Sequence, residues 1–271
     1  GLPKDDPQLI ALSHHLGAKC LLRMLTMYSH KGVRTINVYA AGGGDLSFAV
    51  LPDAFYNALK LNDHQLNEAV RTHVGAQYHT MRRLVELMRE GEAIDAPRKL
   101  RVARVVERDP VLVFEGDGTE ANPDRYHRHD FAVLPFQLAA DRFAVGCYVV
   151  TRNVTKAYDE SKGLVDPARY AMPVQDFDVT LVNVRGEGAT VELFDPMTGR
   201  TEPAEVLHSD ARSITVRVRA KDYPRFVMIR ESQPGPMIRD PKVRRTADGK
   251  AGVSCGLNAA ATVNVTWGPL P

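Results

Sequence analysis

The hydrophobic period changes once along the chain, near Arg98, and that change limits what these 271 residues can fold into. Before it, apolar residues recur at helical spacing. After it they alternate, as on strands with one face buried. Leu9, Leu12, Leu16, Leu21, Leu22 and Leu25 form the first helical set, opened by Asp5-Asp6-Pro7 and closed by Lys31-Gly32. Thr35 to Ala40 reads as a short β-rich run that ends at Gly42-Gly43-Gly44. Pro52 to Asn57 starts a second helix, and Asp63 is expected to cap a longer one carrying Leu66, Val70, Val74, Tyr78, Met81, Leu84, Val85 and Met88.

Beyond Arg98, strands are expected at Leu100-Val102, Val111–Phe114, Phe131–Leu134 and Phe143–Val149, then at Val179–Val184, Thr190–Phe194, Ser213–Val218 and Phe226–Ile229. Short strands divided by turn residues such as Asp195-Pro196 and Thr198-Gly199 imply an antiparallel β-sandwich. From Arg239 to Pro271 an irregular extension is expected, with a strand candidate at Thr262–Trp267. Two domains follow, 1–97 and 98–271.

Lys and Arg number 35 against 33 Asp and Glu, a net +2, and no basic face is interleaved with aromatics. Nucleic acid is therefore not an expected partner. No apolar run reaches the ~20 residues of a membrane helix, so no membrane partner is expected either. Cys20, Cys147 and Cys255 are odd in number and widely separated, which fits neither a zinc ribbon nor a disulfide framework.

Several groupings resemble known segments of enzymes. The stretch Gly17–Arg23, then Lys31-Gly32-Val33, then Ile36–Tyr39, is similar to a late helix and strand of (β/α)8-barrel glycoside hydrolases. Phe131–Gln137, Tyr148–Asn153, Phe194–Gly199 and Asp222–Phe226 resemble the β-sandwich attached to such barrels. This resemblance implies a fold class of α/β barrel remnant, the C-terminal portion of a TIM barrel, followed by an antiparallel β-sandwich. It implies hydrolysis of glycosidic bonds in a poly- or oligosaccharide, without a cofactor. A complete barrel takes roughly 200 residues or more, and fewer than half that number precede Arg98. The catalytic carboxylate pair is thus expected on an upstream segment or on a second polypeptide that completes the barrel, with a homo-oligomer as the other possible partner.

In such a barrel the loop after the last strand faces the active-site mouth. Tyr39 is then expected to stack on a sugar ring and Asp45 to accept from its hydroxyls, with Phe48 closing the same loop. The alternative is that Tyr39 is core and Asp45 a solvated loop residue. Glu115–Glu120 sets three carboxylates among glycines, either a calcium loop or, more simply, a turn. His127 and His129 could share one side of a strand, but a third metal ligand is not evident. No serine sits in a nucleophile elbow, and Gly42-Gly43-Gly44 lacks the residues of a phosphate loop. A second function stands beside the hydrolase: a non-catalytic carbohydrate- or protein-binding module whose helices cover its own sandwich.

Overall fold

The computed structural model describes residues 6–38, 40–42, 49–89, 98–150, 170–233, 238–245 and 251–257. Helix α1 (Pro7–His30) leads to strands β1 (Ala40–Gly42) and β2 (Ala49–Leu51), followed by α2 (Asp53–Leu61), α3 (Glu68–Arg71) and α4 (Ala76–Arg89). The strands continue as β3 (Arg101–Glu107), β4 (Leu112–Phe114), β5 (Arg125–Tyr126), β6 (Phe131–Gln137), β7 (Arg142–Val149), β8 (Gln175–Val182) and β9 (Thr190–Asp195). They end with β10 (Arg200–Pro203), β11 (Glu205–Ser209), β12 (Ser213–Ala220), β13 (Arg225–Arg230), β14 (Ile238–Arg245) and β15 (Ala251–Leu257).

Two antiparallel sheets, ordered β10-β9-β13-β7-β6 and β11-β12-β8-β3, face each other. Phe143, Val145, Cys147 and Val149 of the first meet Phe177, Val179 and Leu181 and Ile214, Val216 and Val218 of the second in one apolar core. Phe131 stacks on Phe177 at 3.9 Å across it. Strict alternation on β8 and β12 follows from their position: one face meets this core and the other meets water. β7 is buried along seven consecutive residues, because its second face is covered too.

That cover is α1 and α4. Leu22 and Leu84 pack with Leu138, Ala144, Tyr223 and Phe226 on the outer face of the five-stranded sheet. The barrel remnant expected over 1–97 is overturned here. The described part of this stretch holds helices and one short parallel pair, β1 with β2, while the described residues taken together are mostly antiparallel sheet with no repeating strand–helix pattern among them. The physical reason is that the apolar stripes of α1 and α4, which barrel strands would otherwise bury, are satisfied by the chain's own sheet. Gly146 permits the close approach: a Cβ there would stand 2.9 Å from Thr26 Cγ2 and 3.2 Å from Phe226 Cε1.

A buried ion pair fixes the helical layer. Lys19 Nζ lies 2.9 Å from Asp222 Oδ2, with both side chains at most 7% exposed, and also donates to the Tyr170 carbonyl at 2.9 Å. Arg23 adds a contact of 3.5 Å to the same carboxylate, and its Nε donates to the Asp222 carbonyl. Asp222 sits in the connection by which the chain crosses from β12 in one sheet to β13 in the other. From α4, Arg83 Nη1 donates to the carbonyls of Pro196 (3.0 Å) and Met197 (2.8 Å). It thereby ties this helix to the β9–β10 turn.

Other expectations shift locally. Thr35–Val38 carries no regular structure, and the strand begins at Ala40. Asp63 caps nothing: it and His64 adopt left-handed backbone (φ 51° and 59°), and the helix expected after it is broken into α3, capped by Asn67, and α4. Ile238–Arg245 and Ala251–Leu257 pair as a hairpin within the stretch expected to be irregular, and Thr262–Trp267 lies outside the described residues.

Removing one partner of a buried pair strands the other charge. Lys19→Met and Asp222→Asn are each expected to lower the unfolding free energy by about 3–5 kcal/mol, and the double variant to cost less than their sum, in urea melts. Gly146→Ala is expected to cost about 1–3 kcal/mol by overpacking the helix–sheet contact, measured the same way.

Candidate functional site

A cleft of about 570 Å³ opens between β2, α2, α3 and α4, away from the sandwich core. Its apolar wall is Leu51, Phe55, Val74 and Tyr78, and its rim carries Glu68, Arg71, Thr72 and His79. Each wall has a local cause. Phe55 is buried on the first turn of α2, whose start is set by Pro52, and its ring meets Tyr56 edge-on at 5.5 Å. The left-handed pair Asp63-His64 then turns the chain back, with the Asn62 side-chain amide donating to the Ala58 carbonyl at 2.8 Å. Asn67 Oδ1 accepts from the Val70 amide at 3.0 Å, so α3 starts at the cleft and presents Glu68 and Arg71.

Tyr78 and His79 lie on α4, ring centroids 5.7 Å apart and nearly perpendicular. Partial burial pushes the His79 pKa below its ordinary value, and the positive charges of Arg83 and Arg82 push it the same way. His79 is therefore neutral near pH 7, a donor at one ring nitrogen and an acceptor at the other. Glu68 and Arg71 form only a loose, exposed pair at 3.7 Å. Leu66 is 54% exposed at the mouth. An apolar wall containing an aromatic ring, beside neutral and charged hydrogen-bonding groups, suits a polyhydroxylated ligand with one face of C–H bonds.

Tyr39, Asp45 and Phe48 lie outside the described residues. Their flanks are described: Ala40 pairs with Ala49 and Gly42 with Leu51, and Leu51 itself lines the cleft. The barrel mouth expected at this loop falls with the barrel. Glu115–Glu120 is a turn in which Asp117 Oδ1 accepts from the Thr119 amide (3.0 Å) and hydroxyl (2.6 Å), bonds that hold the Asp117 pKa below its usual value. His127 and His129 do not converge. The first contacts the Gln175 side chain, while Nδ1 of the second accepts from the Tyr126 amide at 2.9 Å. Among the described residues no cluster of three metal-ligating side chains is present.

No family model, no curated protein and no solved structure matches this chain. The reading of the cleft therefore rests on its own geometry.

Sequence reasoning passed over Tyr78 because its helical spacing reads as core, over His79 because the His73, His79 pair lacks the i, i+4 geometry of a helical metal site and reads as surface or core, and over Arg71 because it belongs to no motif. Of the five carboxylates buried among the described residues, four have the structural partners that follow. Asp222 holds Lys19, and Asp195 caps a turn through the Met197 amide (3.0 Å) and accepts from the Tyr223 hydroxyl (3.0 Å). Glu231 pairs with Arg98, and Glu107 accepts from Gln175 at 3.0 Å. Burial and then the Asp195 charge push the Tyr223 pKa far upward.

Burial lowers the pKa of His14, His15, His30 and His79. The unfolded chain then binds protons more readily than the folded one, so the stability these residues contribute is full above about pH 6.5 and is lost as pH falls through their lowered values. The urea midpoint is expected to fall between about pH 7 and 5, and His15→Gln, at the most buried of these positions, to flatten the fall.

Proposed function

We propose that this chain is a non-catalytic component of a glycoside hydrolase, binding and positioning a poly- or oligosaccharide whose glycosidic bond is cut by carboxylates on another segment or a partner chain. The observation that carries this reading is the aromatic-walled cleft of Phe55 and Tyr78, rimmed by Glu68, Arg71 and His79 and bordered by the strand that ends the Tyr39–Phe48 segment. The resemblance of Phe131–Gln137, Tyr148–Asn153, Phe194–Gly199 and Asp222–Phe226 to the sandwich of such enzymes supports the same assignment, and the proposal needs no barrel within these residues. Glycosidases work with two carboxylates facing each other across the scissile bond. Asp195, Asp222, Glu107 and Glu231, four of the five carboxylates buried among the described residues, are engaged in the fold, which favours a pair supplied from elsewhere.

The cover of α1 and α4 on the sandwich favours a second reading, a self-sufficient carbohydrate-binding module. Cleavage separates the two. The protein isolated natively, with any chain that co-purifies, is expected to hydrolyse members of a panel of oligosaccharides and aryl glycosides. Tyr78→Ala should reduce kcat/KM about tenfold or more, the scale of one lost aromatic–ligand contact of 1–2 kcal/mol. Saccharide binding in calorimetry with no cleavage by the native preparation would sink the hydrolase reading and leave the module. No binding of any saccharide would sink both.

A further inference from the structure

The two ends of α4 treat their polar groups differently. Toward its C-terminus, Arg82, Arg83 and Glu86 roof a second cleft, of about 760 Å³, whose floor is the open end of the five-stranded sheet. There Arg82 pairs with Glu86 at 2.8 Å, and Arg83 is held by carbonyls of the β9–β10 turn. These groups are committed to the fold.

The first turn leaves its donors free. The hydrogen-bond ladder of α4 opens with the His79 amide, which donates to the Gly75 carbonyl at 3.3 Å. The amides of Ala76, Gln77 and Tyr78 precede it, and nothing among the described residues accepts from them. Gly75, just before the helix, has no side chain with which to cap them, a role that falls to Asp6 at α1 and to Asn67 at α3.

Gln77 lies in this turn and is 1% exposed, yet neither its Nε2 nor its Oε1 has a hydrogen-bond partner. Two glycines give it its place. A Cβ on Gly17 of α1 would stand 2.4 Å from Gln77 Nε2, and one on Gly75 would stand 3.5 Å from Oε1. The amide therefore reaches back to the start of α4, the direction in which helical side chains lean. The Cβ on Gly75 would also stand 2.6 Å from His14 Nδ1, so an imidazole from α1 arrives at the same spot. His14 bonds to no described residue. Partial burial lowers its pKa, and at pH 7 the neutral ring donates from one nitrogen.

An amide buried without a partner is costly, and so is a glycine within a helix such as Gly17. A ligand that takes up these donors removes the first cost and accounts for the second. The free amides of a helix start and the positive end of its dipole favour an anion. We infer that the start of α4 binds an oxyanion, the phosphate, sulfate or carboxylate group of a small ligand. The amides of Ala76, Gln77 and Tyr78 are its backbone donors. His14 donates from α1, and the Gln77 amide, turned half-way about its last bond, presents NH2 in place of oxygen with the same shape. Ala76 is exposed, which gives the site its access to solvent. Val74 and Tyr78 belong to the aromatic-walled cleft, so the site borders that cleft, but it rests on the helix-start donors and not on the saccharide reading.

The test is a proton–nitrogen NMR titration of the chain, at constant ionic strength, with sulfate, phosphate, acetate and chloride. Saturable shifts of the Ala76, Gln77 and Tyr78 amides are expected with at least one oxyanion, at an affinity about tenfold or more above that of chloride. The tightest binder identifies the group. Gln77→Leu, which keeps the bulk and removes the amide, is expected to weaken that oxyanion about tenfold while raising the melting temperature, because the unpartnered amide is gone. His14→Phe is expected to weaken it as well. No saturable shift at these amides with any oxyanion, or equal affinity for chloride, would overturn the proposal, and neither result needs a variant. So would a Gln77→Leu protein that binds as tightly as the unaltered chain, or one that loses affinity and melting temperature together. Tyr78→Ala keeps the backbone donor and is expected to leave oxyanion binding intact, so this inference and the saccharide reading fail separately.

Discussion

The helical layer is held to the sandwich by a charge buried in the joint between them. Lys19 reaches from the middle of α1 to Asp222, at the point where the chain passes from the four-stranded to the five-stranded sheet. Two charges withdrawn from water cost several kcal/mol each unless geometry and further hydrogen bonds compensate. Here the Tyr170 carbonyl and Arg23 complete the set. Such a joint is specific in a way that apolar contact is not, because sliding α1 along the sheet would strand a lysine or an aspartate in the interior. Everything built on α4 depends on this, since α4 packs against the same sheet beside α1 and carries side chains into both clefts.

The same sheet explains why the early segment is not part of a barrel. An amphipathic helix needs an apolar partner, and a barrel strand or the outer face of a sandwich serves equally well. Ala144, Phe226, Phe136 and Phe194 offer such a face, and Gly146 lets the helix backbone approach it. With its own second face covered in this way, β7 becomes the most buried strand of the molecule's described part, flanked by core on one side and helices on the other.

The two clefts divide the chemistry of α4 along its length. Tyr78 and His79 face an apolar recess beside β2, with little charge beyond an exposed Glu68–Arg71 pair. Arg83 and Glu86 roof a basic recess whose floor is the open end of the sheet. Arg82 borders both.

Local pattern was enough to specify most of the strands, because burial on one face imposes a two-residue alternation that β8 and β12 show plainly and that turn residues such as Asp195 and Gly199 punctuate. It was also enough for α1 and for the start of α2, where Asp6 and Pro52 mark the ends. It missed the exposed strand β11 and the break at Asp63-His64, since neither carries an apolar period. Neither cleft was legible. Tyr78 has the spacing of a core residue, and Arg142 and Arg230 stand 88 positions apart in sequence, brought side by side only by the register of β7 and β13. By itself the sequence determined which of the strongly periodic segments, such as α1, β7, β8 and β12, are helical and which are sheet, because period is a local property. Which surface the helices cover, and which charges end up opposite one another, was decided by tertiary structure, because those depend on strand order and register across distant parts of the chain.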